Sequence, residues 1–210
     1  ALARFAELLW EAGGSDAAWH SIWLNINTAP NNVILSHHPG AWRLLLGERV
    51  LIEHLSSGAP VALFPHTFRQ PNLEGFDGVV RAVVRAVPAG ARVVEWYAGV
   101  GVLGLALVSR ANVRWCRCSD VSHRAAFDAS AALLPLTLRG RISYAMGPAG
   151  ERLADAADTD VAVVDPPRKG LDPLLLDALC DPPDTDHHLS DDTVGGGAAA
   201  RGRDERDGAP

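Results

Sequence analysis

From residue 72 to residue 180, short apolar runs alternate with helical segments, and few folds accept that alternation. The runs are Arg92–Trp96, 113–118, Ile142–Met146 and Val161–Val164, with helical patterns over 102–108 and 125–134 between them. Upstream, Phe76, Val79, Val80, Val83, Val84 and Val87 recur at the spacing of one helix face, and Pro88-Ala89-Gly90 ends that helix. Strand–helix units joined by short links build a parallel sheet, here of four strands. Right-handed crossovers then put any ligand at the carboxyl ends of the strands.

Residues 1–64 have a different texture. Phe5, Leu8 and Leu9 carry helical spacing, while Ile22, Leu24 and Ile26 alternate with Trp23, Asn25 and Asn27 as in a strand. Pro30-Asn31-Asn32 is turn chemistry leading to Val33-Ile34-Leu35, so this stretch reads as a hairpin. Val50-Leu51-Ile52 and Val61-Ala62-Leu63-Phe64 are two further short strands. Residues 181–210 are Asp-rich, then Gly195-Gly196-Gly197-Ala198-Ala199-Ala200, then mixed Arg and Asp, with little to bury; disorder is expected there. The chain therefore divides into a strand-rich segment 1–64, a parallel-sheet domain 65–180 and a tail 181–210.

At 48% apolar residues the chain has material for a core. No apolar run reaches the ~18 residues of a membrane span, so no membrane partner is expected. The first ten residues lack the pattern of a secretory signal, and the sequence does not begin with Met. Of the net charge of −6, the tail contributes eight acids against three arginines, leaving 16 basic and 17 acidic residues elsewhere. A near-neutral body neither supports nor excludes a nucleic-acid partner. Cys116, Cys118 and Cys180 make no disulfide framework. Cys116 and Cys118 point the same way from one strand, but a zinc site needs more ligands, and His37-His38 and His187-His188 lack ligand spacing; no metal is expected.

Four segments carry chemistry. Glu95-Trp96-Tyr97-Ala98-Gly99-Val100-Gly101 ends the first strand of the sheet; its glycines allow close backbone approach to a ligand at the start of a helix. Gly99-Val100-Gly101-Val102-Leu103-Gly104 also fits the dinucleotide fingerprint, so the loop alone suits S-adenosylmethionine and nicotinamide cofactors alike, or a plain tight turn. Asp120, after the second strand, can accept bonds from ribose hydroxyls or cap the next helix. Asp165-Pro166-Pro167-Arg168-Lys169-Gly170-Leu171 follows the fourth strand, where two prolines hold Asp165 rigidly at the cleft. A nicotinamide enzyme has no use for that segment, which separates the two cofactor classes. Finally, Phe64-Pro65-His66-Thr67-Phe68-Arg69-Gln70-Pro71-Asn72 sets Gln70 just before the first helix, within reach of the methionine end of the cofactor.

In this order and spacing the four resemble the RNA uracil-C5 methyltransferase family, over about residues 20–180. The resemblance rests on Phe68, Gln70 and Asn72, on Glu95, Tyr97, Gly99 and Gly101, on Asp120, and on residues 165–170. It implies an α/β, Rossmann-like class I methyltransferase parallel sheet, incomplete here, preceded by a remnant of the family's strand-rich central domain. It also implies S-adenosylmethionine as cofactor, with Gln70, Tyr97, Gly99, Gly101, Asp120 and Asp165 as cofactor-binding residues. Structured RNA (tRNA or rRNA) would be the substrate and 5-methyluridine the product.

The sequence departs from the family pattern in places. Asp120 stands for the usual Glu, and Val102 for an Asn of some members. The third strand ends Tyr144-Ala145-Met146-Gly147-Pro148, without the acid that often meets the adenine amino group. Members continue into a strand bearing a Ser-Cys nucleophile, whereas this sequence runs from Leu179-Cys180 into the polar tail. The expectation is a chain that stops short of its catalytic cysteine. That matters because uracil C5 accepts a methyl group only after a thiolate adds at C6 of a flipped base. Cys180, at a helix end, reads as packing, so no catalytic residue is assigned. The rival readings are a nicotinamide-dependent oxidoreductase and an inactive cofactor- or RNA-binding remnant.

Overall fold

The computed structural model describes residues 1–13, 18–28, 34–36 and 38–180. Pro30-Asn31-Asn32, Val33, His37, the His187-His188 pair and the tail 181–210 lie outside the described residues.

Four parallel strands form the sheet: β5 (Arg92–Trp96), β6 (Trp115–Asp120), β7 (Ile142–Met146) and β8 (Val161–Val164), in spatial order β7-β6-β5-β8. The expected strand at 113–118 is shifted, so that Ser119 and Asp120 are its last two residues. Alternation along β5 sends Val93 and Glu95 to one face and Val94 and Trp96 to the other. Val93 joins a core with Leu107, Val108, Phe127 and Tyr144; Val94 and Trp96 join Ala149 and Leu175. Val93 and Val94 are both fully buried, each worth roughly 1.5–3 kcal/mol.

The first face is covered by α2 (Leu73–Ala86), α3 (Val102–Ala106), α4 (Arg124–Ala131) and Leu138 of the short α5 (Leu136–Arg139), and the second by a 3₁₀ segment (Ala149–Ala156) and α6 (Pro173–Cys180). The α2 pattern is confirmed: Val80 is buried against Leu103 and Ala106, and Val79 at the edge of the stripe is half exposed. Asn72 starts this helix by accepting the Gly75 amide on Oδ1 at 2.9 Å. Its Asp77 anchors the turn ahead of it, accepting the Ser56 hydroxyl at 2.7 Å and the Ser57 amide at 2.8 Å. These bonds, the Ser56 hydroxyl first, hold the Asp77 carboxyl down at about 2.

That turn joins β3 (Leu51–His54) to β4 (Pro60–Leu63), an antiparallel pair close to the two strands expected there. Val61 and Leu63 pack with Val100, Leu105 and Ala126, and the Ala62 amide donates to Ser130 Oγ at 2.8 Å. The hairpin thus sits on the helical face beside the glycine loop.

Farther upstream α1 (Leu2–Ala12) forms where helical spacing predicts it. The expected first hairpin differs. β1 (Ser21–Asn25) pairs with β2 (Trp42–Gly47), and Ile34 and Leu35 form a bend, Ile34 being 89% exposed. Asn25 explains the bend: its side chain both accepts the Ser36 amide at 2.9 Å and donates to the Ser36 carbonyl at 3.0 Å. Side-chain bonds hold this segment in place of a strand ladder.

Candidate functional site

At the carboxyl ends of β5, β6 and β8 lies a cavity of about 1140 Å³. Gln70, Tyr97, Gly99, Asp120 and Asp165 all line it; Gly101 does not. The chain leaves β5 at Trp96, and Tyr97 takes φ 59°, a left-handed conformation that costs a non-glycine residue roughly 1–2 kcal/mol. Its hydroxyl accepts the Asp172 amide at 2.7 Å, which ties it to the segment after β8. Asp172 in turn accepts the Leu174 amide on Oδ1 at 3.0 Å, at the start of α6.

Gly99 has φ 56°, and a Cβ there would meet nothing within 4 Å. Its amide donates to Asp120 Oδ2 at 3.0 Å, while Asp120 Oδ1 accepts the Ser122 amide at 3.1 Å. Asp120 thus joins the end of β6 to the loop, and it is not the cap of α4, whose cap position is His123. At Gly101 the nearest neighbour is the protein itself. At φ 84° its Cβ would lie 2.6 Å and 2.9 Å from two ring carbons of Phe127. Packing inside the protein, rather than the cavity, demands glycine at 101.

Gln70 lies half-buried on the cavity wall beside Phe68, which is 68% exposed. Asn72, third of that triplet, spends its side chain capping α2. Asp165 is exposed at the cavity with Arg168 and Lys169. Cys180 is exposed at the end of α6 and does not line the cavity.

Two residues beneath the loop were not among the expected cofactor-binding residues, although Glu95 belongs to the loop motif. Glu95, 3% exposed, accepts the Gly104 amide at 2.9 Å and the Cys118 thiol at 3.2 Å on the same Oε2. Burial pushes its carboxyl up to about 7, against the lowering effect of those two bonds. Its inward position was visible in principle, since it shares the parity of Val93 and sits opposite Cys118 in register. Tyr144 is the other. Its ring lies 4.5 Å from that of Phe127, and its hydroxyl donates to the Gly99 carbonyl at 2.8 Å, close also to the Ser122 carbonyl. Burial raises the Tyr144 hydroxyl above its ordinary value. In the segment before α2, His66 stacks on Phe64, and burial, then the charge of His123, lowers its basicity.

No protein-family model matches the chain. An uncharacterized RNA methyltransferase of Protochlamydia amoebophila is 32% identical over 167 residues, covering 79% of this chain and 42% of that protein. The tRNA (uracil(54)-C(5))-methyltransferase of Pyrococcus furiosus is 27% identical over 165 residues, covering 77% of this chain and 36% of its own length. The crystal structure of Pyrococcus abyssi tRNA (uracil-54, C5)-methyltransferase in complex with S-adenosyl-L-homocysteine matches with a TM-score of 0.62 at 22% identity. That match covers 77% of this chain and 38% of that one. The chain thus spans about two fifths of the length of the curated relatives it matches. The structural match shows that the four-stranded parallel sheet is the Rossmann-like class I methyltransferase fold, in incomplete form. In sequence the chain is similar to RNA methyltransferases, and in fold it is similar to a methyltransferase solved with S-adenosyl-L-homocysteine.

Proposed function

We propose that the cavity binds S-adenosylmethionine and that the chain is the cofactor-binding part of an RNA methyltransferase that forms 5-methyluridine. The observation that carries this reading is the convergence of Gln70, Tyr97, Gly99, Asp120 and Asp165, from four separate segments, on one cavity at the strand ends. The open space over Gly99 fits a ligand lying against its backbone. Bound there, the cofactor supplies an electrophilic methyl group.

The chain's own residues bind and orient. Asp120 accepts the Gly99 amide on Oδ2 and both the Ser122 amide and hydroxyl on Oδ1, which leaves acceptor capacity on Oδ2 for ribose hydroxyls. Asp165 adds a negative charge suited to the sulfonium or ammonium end, and Gln70 a neutral amide on the same wall. Arg168 and Lys169, exposed beside them, provide cations for RNA phosphates. Addition at uracil C6 needs a thiolate, and among the described residues no cysteine lines the cavity. Residues 1–64 are read as a remnant of the strand-rich central domain of that family.

Calorimetric titration with S-adenosylhomocysteine and with NAD tests the cofactor. Binding of the first and not the second is expected, and the reverse result overturns the proposal. For the substrate, the chain is incubated with labelled S-adenosylmethionine and unmodified tRNA or rRNA, followed by nucleoside analysis. With no cysteine among the described residues lining the cavity, no label is expected unless a thiol is supplied from outside them. Label in any nucleoside other than 5-methyluridine would remove the uracil assignment and leave the cofactor assignment standing.

A further inference from the structure

Below the glycine loop, where Glu95 reaches the cavity from inside the core, three donor atoms meet. Glu95, Cys116 and Cys118 are each at most 3% exposed, and their ligand atoms all lie within 4.8 Å of one another. Sγ of Cys116 and Sγ of Cys118 are 3.7 Å apart, and Sγ of Cys118 is 3.2 Å from Glu95 Oε2. A Cβ built on Gly104 would fall 2.5 Å from Cys118 Sγ, 2.6 Å from Glu95 Oε2 and 3.1 Å from Cys116 Sγ, so all three converge on the same point of α3. We propose that Glu95, Cys116 and Cys118 form a binding site for a soft divalent cation of the zinc and cadmium class.

Geometry supports this first. A centre with metal–sulfur bonds of ~2.3 Å and near-tetrahedral angles holds its sulfurs ~3.8 Å apart, and the pair already stands at 3.7 Å. A disulfide would instead require a contraction to ~2.05 Å. Charge supports it next. Binding releases one proton from each thiol to solvent and brings in one dication, with two metal–sulfur bonds formed and no change of oxidation state. The net charge of the buried triad is unchanged, so the apolar surroundings of Val93, Leu107 and Phe127 do not oppose the exchange as they would oppose a bare thiolate. Composition of the site supports it last: two thiols and a carboxylate suit a thiophilic d¹⁰ ion, whereas magnesium or calcium would prefer oxygen alone. Occupation ends the Cys118 donation to Glu95 and changes the acceptor that the Gly104 amide meets at 2.9 Å. The effect therefore reaches the first turn of α3 through the protein itself.

The test uses the full chain carrying Cys180→Ser, which removes the one exposed thiol, and cadmium as probe. The ultraviolet thiolate-to-cadmium absorption should saturate at one cadmium per chain, shift the Gly104 amide resonance and raise the melting temperature. The absorption should vanish in Cys116→Ser/Cys118→Ser. No absorption, absorption that survives in the double variant, or a lowered melting temperature (the mark of thiols reached only through unfolding) overturns the site. Each outcome is independent of whether S-adenosylhomocysteine binds.

Discussion

Replacing Gly104 by Ala sets two physical effects against each other, and the structure decides the sign. Alanine in place of glycine in a helix gains about 1 kcal/mol from backbone entropy. Against this, the new methyl would lie 2.5 Å from Cys118 Sγ and 2.6 Å from Glu95 Oε2, both below any real contact distance, and both atoms belong to short, buried side chains. Relief requires α3 to move off the sheet, an overpacking cost of about 1–3 kcal/mol. The Gly104–Glu95 bond at 2.9 Å then lengthens, at a further cost of about 1–3 kcal/mol for a buried group left without its partner. The balance is a destabilisation of about 1–5 kcal/mol, which lowers the melting temperature by roughly 2–20 °C in a domain of this size. Thermal unfolding followed by circular dichroism measures it. Adding Cys118→Ala should recover part of the loss, because it removes the nearest obstacle, and the double-mutant cycle should show positive coupling. A Gly104→Ala chain that melts at or above the parent temperature would refute the reasoning and show that helix propensity outweighs the contact.

Further outcomes follow from the same geometry. Asp120→Asn should weaken S-adenosylhomocysteine binding by ~1–3 kcal/mol; unchanged affinity in titration would confine Asp120 to holding the loop. Tyr144→Phe removes the hydroxyl that reaches the Gly99 carbonyl and should lower cofactor affinity about threefold to tenfold, as for one lost neutral hydrogen bond, with the fold retained by circular dichroism. Gly101→Val should perturb the Phe127 ring as well as the loop, so the Phe127 resonances should shift even without ligand. For Asp77, whose folded value of about 2 lies below its ordinary 3.8, the stabilisation is present above pH 3.8 and is lost as pH falls toward 2. Asp77→Asn should therefore lower the melting temperature at neutral pH, and the gap to the parent should close across that acidic window; a gap independent of pH would contradict it.

The sheet was legible because its information is local. Runs such as Val161–Val164 followed by Asp-Pro-Pro, or the i, i+3, i+4 stripe on α2, declare type and direction within a dozen residues. The first hairpin was not, because alternation along Ser21–Asn25 states which side chains share a face but names no partner strand. Turn chemistry at residues 30–32 favoured the next apolar run, whereas Asn25 spends its amide on Ser36 and the pairing passes to Trp42–Gly47. The cavity residues fell within recognisable segments for the same local reason, Gly101 excepted. What it needs glycine for is Phe127, 26 positions away in sequence and beside it only after β6 and α4 have formed. Cys116 and Cys118 could be paired from sequence, but Glu95 joined them only through the β5–β6 register.

The loop itself is held by the protein from every side. Asp120 fixes the Gly99 amide, Tyr144 its carbonyl, Asp172 the Tyr97 hydroxyl and Glu95 the Gly104 amide. Those bonds offset the backbone cost of the left-handed Tyr97, so the loop keeps its shape without a ligand to impose it. A ligand then spends little of its binding free energy on ordering the chain, and affinity depends on the direct contacts made by Gln70, Asp120 and Asp165. The same arrangement separates two kinds of variant. Substitutions on the cavity side of the loop should change affinity with little change in melting temperature, while those on the core side, at Glu95, Gly101, Gly104 and Tyr144, should change both. Measuring the two quantities together on one panel tells the binding surface from its support.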